Sequence, residues 1–344
     1  VTQSNLTQTG RARPVCVITT QGDVSADRVI LQLNEMNVPV VRFDLADFPQ
    51  HVHLDATLER TGWHGTLHAH GREVRLEEIG AIYWWHPRPA GAPDGLQRAD
   101  AEWIGRESTV ALTGVLGSLD CLHVNHLRDT RAAQNKPDSL AVARRCGLAV
   151  PPTWIGNHPT GATYFAEDSA GVSLKALETP MITHADGTRR LLLTTPIEAS
   201  RLDDSLALAA HQLQHTITKD HEVRLVVVGH EMHAARIDAH SPASRADFRA
   251  DYEALTYSYT EVPEAVRTGV RALMGHYHLV YAALDLLVDR DGCWWLVDLN
   301  PAGQHDWLQC ELPRLTIAAS LARTLAAGRT ERAPAPAHSC GTPV

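Results

Sequence analysis

The chain reads as a mixed α/β protein of two or three subdomains, and three observations carry that reading. Its 344 residues exceed the size at which a single apolar core usually stops growing. Near the start, short apolar runs alternate with segments of helical period, as in an α/β unit. Near the end, strand-length runs are joined by tight turns, as in an antiparallel sheet.

Residues 14–20 read as the first strand, and residues 25–36 as a helix carrying Val29, Ile30 and Leu33. Residues 38–43 and 79–84 read as further strands, with an antiparallel excursion over 54–76 between them. The last strand runs into Tyr83-Trp84-Trp85-His86-Pro87-Arg88-Pro89, which carries aromatic and cationic groups. That strand end suits either a bound peptide or simple packing of its tryptophans against a helix. Helical period over 99–119, through Trp103, Val110 and Leu116, leads to Val124-Asn125-His126, where the unit ends.

Residues 135–147 read as a helix closed by Gly147, followed by extended chain over 150–155. Residues 174–177 and 190–195 read as strands of a middle subdomain, separated by a turn over 185–188. A helix over 203–213 opens the C-terminal part, and a strand over 223–229 pairs through a tight turn with 231–237. Residues 238–252 read as a polar loop holding Arg245, Arg249 and Asp251. The helix expected over 266–280 places Val266, Val270, Leu273, Tyr277 and Val280 on one face. A last helix is expected near 313–327, and the composition beyond Arg329 is that of a disordered tail.

Two places carry chemistry. Residues 283–288 and 293–301 read as strands joined by Asp289-Arg290-Asp291-Gly292, so pairing brings Asp285 near Asp298 and Asn300. Asp298 and Asn300 are two apart and share a strand face. Two carboxylates and an amide oxygen suit Mg²⁺, which prefers oxygen ligands and keeps waters and substrate phosphates in its shell. Solvated edge strands with turn-capping Asp and Asn would give the same spacing. The second place is Lys175, inside a short apolar run, where an ammonium needs a partner. A nucleotide phosphate, a carboxylate, or snorkelling to solvent would each serve.

Composition narrows the classes. A formal net charge of -9 argues against a general nucleic-acid surface. No run of about twenty apolar residues offers a membrane span, and the polar start lacks a signal-peptide segment, so a cytoplasmic location is expected. Six cysteines without a C-x-x-C pair read as reduced or buried thiols. Among twenty histidines, His64, His68 and His70, or His276 and His278, lie close together without forming an H-E-x-x-H signature.

Several short motifs then occur in a characteristic order: Asn135-Lys136-Pro137 with Gly147-Leu148-Ala149-Val150-Pro151-Pro152-Thr153 and Asn157, Lys175, Lys219-Asp220-His221-Glu222-Val223-Arg224, Asp247-Phe248-Arg249, and Asp285 with residues 298–304. In these motifs, from about 125 to 327, the chain resembles the ATP-grasp ligases. Within them it is similar to the maturases of graspetides, or microviridin-like products. The resemblance implies an ATP-grasp fold divided into an N-terminal α/β subdomain (14–125), a central lid with leader-peptide docking (126–213), a C-terminal antiparallel-sheet subdomain (214–328) and a tail (329–344). It implies ATP and Mg²⁺ as cofactors: Lys136 and Lys175 on phosphates, Gln214 to Ile217 at the adenine hinge, Glu222 on the ribose, and Asp285, Asp298 and Asn300 on the metal. Arg224 and Arg249 would meet the phosphate or the developing acyl phosphate, and Arg88 and Arg236 the substrate. The segment after Lys175 lacks the glycine-rich lid loop of the wider superfamily. The implied reaction activates Asp or Glu side chains of a ribosomally made precursor as acyl phosphates, for attack by Ser or Thr hydroxyls or a Lys amine. A leader-bearing precursor is the implied partner and a homodimer the implied assembly. A ligase adding amino acids to a peptide or protein, and a non-catalytic peptide-binding grasp fold, are the alternatives.

Overall fold

The computed structural model describes residues 12–178, 181–184 and 186–328, and the tail expected beyond 329 lies outside them. The described chain forms two compact units, one of residues up to Val124 together with those from Ala318, the other of Asn125–Ile317.

The first unit is built on β1 (Val15–Ile18), β2 (Val40–Phe43), β6 (Ala81–Trp84) and β7 (Leu122–Val124), in the order β2-β1-β6-β7 with every neighbour parallel. β1 and β6 are buried at every position, as the strands of a sheet covered on both faces must be. The crossovers include α1 (Val24–Glu35), capped by Asp23, whose side chain accepts from the Ala26 amide, and α2 (Arg98–Gly117). Between β2 and β6 runs the expected antiparallel excursion, the meander β3 (Val52–Glu59), β4 (Gly62–Ala69) and β5 (Arg72–Arg75). Its histidines are ordinary polar surface: His64 meets Thr61, His68 meets Thr66 and His70 meets Asp47.

In the second unit α3 (Leu127–Ala133) and α4 (Lys136–Arg145) precede a four-stranded antiparallel sheet of β8 (Thr153–Gly156), β9 (Val172–Lys175), β12 (Thr195–Ile197) and β13 (His211–His215), ordered β12-β9-β13-β8. Helix α5 (Pro159–Glu167) packs on it through Ala162 and Ala166, around Leu213 and Val172. β10 (Met181–Thr183) and β11 (Arg189–Leu191) form a separate hairpin. The helix expected over 203–213 is absent: a short 3-10 turn (Asp204–Leu208) gives way to β13. The alternation Gln212, Leu213, Gln214, with a pairing partner on each side, overrides the helical preference of the Ala- and Leu-rich run before it.

The larger sheet, ordered β16-β15-β14-β17-β18, is antiparallel throughout. It comprises β14 (Lys219–Val228), β15 (Glu231–Ala239), β16 (Leu255–Tyr259), β17 (Tyr281–Asp289) and β18 (Trp294–Asn300). The loop expected over 238–252 is more ordered than a run of polar residues implies, with α6 (Pro242–Ala246) started by a capping box between Ser241 and Ser244. One face of this sheet, with Val223, Leu225, Leu284, Leu286, Leu296 and Leu299, makes the main core against α4 and α7 (Glu264–His276). α7 ends at His276, short of the expected Val280, and His278 takes a left-handed φ of 53° as the chain turns into β17. A Cβ at Gly269 would meet Leu148 at 2.7 Å, so a side chain there would hold α7 away from the end of α4. Helix α8 (Asp306–Glu311), which sequence period did not reveal, follows β18, and α9 (Ile317–Ala327) returns the chain to the first unit. None of the five described cysteines forms a disulfide, and no described helix is long and apolar enough to cross a membrane.

Candidate active site

The second face of the large sheet carries the chemistry. Arg224, Asp285 and Asp298 stand in one row across β14, β17 and β18, and Asn300 lies opposite Ala283. Strict alternation from Trp294 and Leu296, both in the core, would bury Asp298 with them. A one-residue bulge prevents this: Leu286 pairs with Leu296 while Asp285 pairs with Asp298, so Val297 is extra and the phase reverses. Leu299 returns to the core, and Val297, Asp298 and Asn300 line a cavity of about 410 Å³.

Two carboxylates directly opposite repel each other unless cations intervene. Arg224 Nη1 donates to Asp285 Oδ1 at 2.7 Å, and Lys136 Nζ lies 3.5 Å from Asp298 Oδ1. Lys136 also donates to the Ala176 carbonyl at 3.1 Å. It is the first residue of α4, capped by Asn135, and Asp138 anchors that helix by accepting from Tyr277 Oη at 2.6 Å. Arg224 is buried, lines neither cavity, and gives Nη2 to the Gln304 carbonyl at 3.2 Å. A Cβ at Gly303 would sit 2.7 Å from Arg224 Nη2 and 2.6 Å from the Ala283 Cβ, so this close approach requires glycine. Asn125 fixes the surrounding backbone: its amide donates to the Tyr281 and Pro301 carbonyls at 2.7 and 2.8 Å and accepts from the Val280 and Tyr281 amides.

A second cavity of about 570 Å³ adjoins the first and shares Lys175, Thr194, Arg249, Asp285 and Val297 with it. The smaller sheet supplies Ser173, Lys175 and Gln214, and residues 215–222 continue the wall. Lys175 Nζ donates to Gln214 Oε1 at 2.7 Å, and Gln214 Nε2 to Thr153 Oγ1 at 3.0 Å. Burial lowers the Lys175 pKa to about 8, with the Asp298 charge opposing the fall. Glu222 is buried and paired with Lys219 at 2.6 Å; burial raises its pKa and the lysine pulls it back. Arg249 grips Asp247 with Nε at 2.8 Å and Nη2 at 2.6 Å, and Asp247 Oδ2 also accepts from the Thr194 amide at 3.1 Å. Burial pushes the Asp247 carboxyl up, but the Arg249 hydrogen bonds and charge prevail and hold it at about 2.

Lys136, Lys175, Gln214, Ile217, Glu222, Arg249, Asp285, Asp298 and Asn300 are thus gathered on these two cavities. Arg236 is not among the lining residues: it pairs with Val223 on the opposite sheet face and is held by Asp238 and Asp220. Arg88 belongs to the first unit, where it binds buried Asp44 at 2.7 Å. Sequence reasoning left Lys219, Thr194, Arg290 and the bulge without a role. A regular strand sends residues three apart to opposite faces, and only the register shift between Lys219 and His221 brings Lys219 round to Glu222.

The oxygen donors fit a hard cation. Among the described residues no three His, Cys, Asp or Glu side chains converge as a closed metal site. Asp285, Asp298 and Asn300 give two carboxylates and one amide, a partial oxygen set of the kind that leaves positions for water and phosphate, as Mg²⁺ requires.

Residues 14–131 match the family described as MvdD pre-ATP grasp domain. A Chryseobacterium gregarium RiPP-associated ATP-grasp ligase, solved in complex with ADP and a leader and core peptide, is 25% identical, with a TM-score of 0.84 over 92% of this chain and 97% of that one. Over most of its length the chain is thus similar to a RiPP-associated ATP-grasp ligase, and its residues 14–131 match a pre-ATP grasp domain. Two Microcystis aeruginosa macrocyclases share this ATP-grasp ligase fold: MdnC, bound with precursor peptide MdnA, at 24% identity and TM-score 0.79, and MdnB at 23% and 0.74, each over 91% of this chain and 99% of its own. No curated protein sequence matches this chain.

Proposed function

We propose that this ATP-grasp ligase closes rings in a ribosomally made precursor peptide by activating Asp or Glu side chains with ATP. The observation that carries the reading is that Asp285, Asp298 and Asn300 line one cavity with Lys136, Lys175 and Arg249, between two antiparallel sheets. The related ligase solved with ADP and leader and core peptides supports the same reading.

The carboxylate oxygen of the substrate attacks the γ-phosphorus, the bond to the β,γ-bridging oxygen breaks, and ADP leaves. A Ser or Thr hydroxyl, or a Lys amine, then attacks the acyl carbon and phosphate departs, leaving an ω-ester or ω-amide. No protein nucleophile is needed, so the chain's task is positioning and charge neutralisation. Lys136 and Lys175 hold phosphate oxygens, residues 214–217 meet the base, and Glu222 accepts from the ribose hydroxyls. Arg249, fixed by Asp247, faces the transferring phosphoryl group, while Arg224 acts from behind by holding Asp285 Oδ1. Asp285, Asp298 and Asn300 hold Mg²⁺, which neutralises phosphate charge when bound. Arg88 and Arg236 are candidates for substrate contact away from these cavities, and residues 126–213 for leader docking. The reading places the protein in the cytoplasm, where ATP and new peptide are both supplied, and takes the homodimer from the resemblance.

Intact mass spectrometry of a candidate precursor incubated with the protein, Mg²⁺ and ATP tests this. The expected result is an ATP-dependent loss of about 18 Da per bond. A gain of one amino-acid mass when free amino acids are supplied would favour the amino-acid ligase instead.

A further inference from the structure

Gln212 is 1% exposed, yet among the described residues neither its Nε2 nor its Oε1 finds a hydrogen-bond partner. Buried side-chain amides are almost always bonded, because desolvating them without compensation is costly. The register fixes where this one lies. Gln212 stands directly across from Lys175, as Gln214 stands across from Ser173, so these four share the face of the smaller sheet that meets the nucleotide cavity. The opposite face, with Leu213, Leu174 and Trp154, is the apolar one. Side chains directly opposite in an antiparallel pair have Cβ atoms about 5 Å apart, within reach of a lysine and a glutamine. Lys175 carries three N–H donors, and its one acceptor among the described residues is Gln214 Oε1 at 2.7 Å. A donor with unused capacity and an acceptor without a partner are therefore side by side, one strand apart.

We infer that Gln212 is a positioning residue for Lys175: its Oε1 accepts from the ammonium when Lys175 turns to a nucleotide phosphate, so that two amides and the phosphate satisfy the three donors. The inference rests on the ATP reading of this site and adds a residue that the family motifs do not contain. Gln212 touches no nucleotide atom itself; it acts through the lysine.

Calorimetric titration with Mg-ADP, which needs no peptide, separates this inference from the choice of precursor. Gln212→Met keeps length and packing but removes the acceptor, and its expected effect is about a tenfold weaker affinity with the melting temperature without nucleotide unchanged or raised. Gln212→Glu, which restores an acceptor, should recover most of the affinity. In a Lys175→Met background the second change, Gln212→Met, should cost nothing further. Full affinity in Gln212→Met, or the same loss with and without Lys175, would overturn the role, as would a parallel fall in melting temperature and affinity. Absence of Mg-ADP binding by the unaltered protein would remove the ATP reading and this inference together.

Discussion

Asp285 and Asp298 oppose each other across a strand pair, an arrangement that lowers stability unless a cation is shared between them. Asp298→Asn should therefore abolish peptide turnover by on the order of a hundredfold or more without lowering the melting temperature. Asn300→Ala should impair turnover similarly, whereas His86→Ala, in the other unit, should leave it within about threefold. Equal activity in all three, measured as rate of product mass, would remove the metal assignment. Lys175 gives a pH signature. Burial lowers its pKa to about 8, well below the ordinary lysine range, so the ammonium is charged below that pH and neutral above it. Affinity for ADP without divalent metal should fall as pH rises through about 8. Lys175→Arg, whose guanidinium stays charged, should flatten that profile; an unchanged slope would place the titration elsewhere.

At the scale of elements, the short stretch around Asp247 does more than its length implies. One carboxylate holds Arg249 by two bonds and the Thr194 amide by a third, so it ties the approach to β12 to the turn after α6. Its folded pKa, about 2, lies below the ordinary aspartate range, so the stability it contributes is complete above about pH 4 and is lost as pH falls towards 2. Acid unfolding of Asp247→Asn should lack that limb of the curve. Helix α7 offers a packing test: Leu273 is fully buried, and Leu273→Ala should cost about 2–5 kcal/mol by denaturant titration. The spacing of Val270 and Leu273 made this helix legible in the sequence, as did the Asp-Gly turn that sets Asp285 against Asp298. Other elements were hidden for physical reasons. β13 follows a helix-favouring Ala and Leu run and is a strand only because β8 and β9 flank it. The Val297 bulge and the shift at Lys219 are properties of strand pairs, which no single strand displays. Arg236 has the right chemistry for an acidic substrate, but alternation alone turns it from the cavity.

For the whole molecule, every candidate nucleotide and metal contact named above lies between Asn125 and Ile317, within the second unit. Mg-ADP should consequently slow amide hydrogen exchange in 125–317 far more than in 12–124, since a ligand stabilises the unit it binds. Comparable protection of both would mean that the first unit shares the site. The motifs of the resemblance lie over residues 125–327, while residues 14–131 carry the family match.

The first unit is discontinuous, since α9 from beyond Ile317 belongs with residues before Val124 and buries Leu321, Ala322 and Leu325. Domains generally complete folding in the order in which a ribosome releases them. Here that order is inverted: residues 125–317 have all emerged before the last helix of the first unit exists. The parallel sheet that begins the chain must wait, incomplete, until translation has passed the catalytic unit. A chain stopped just short of α9 would thus have a finished nucleotide site and an unfinished amino-terminal unit, the reverse of what truncation from that end ordinarily does.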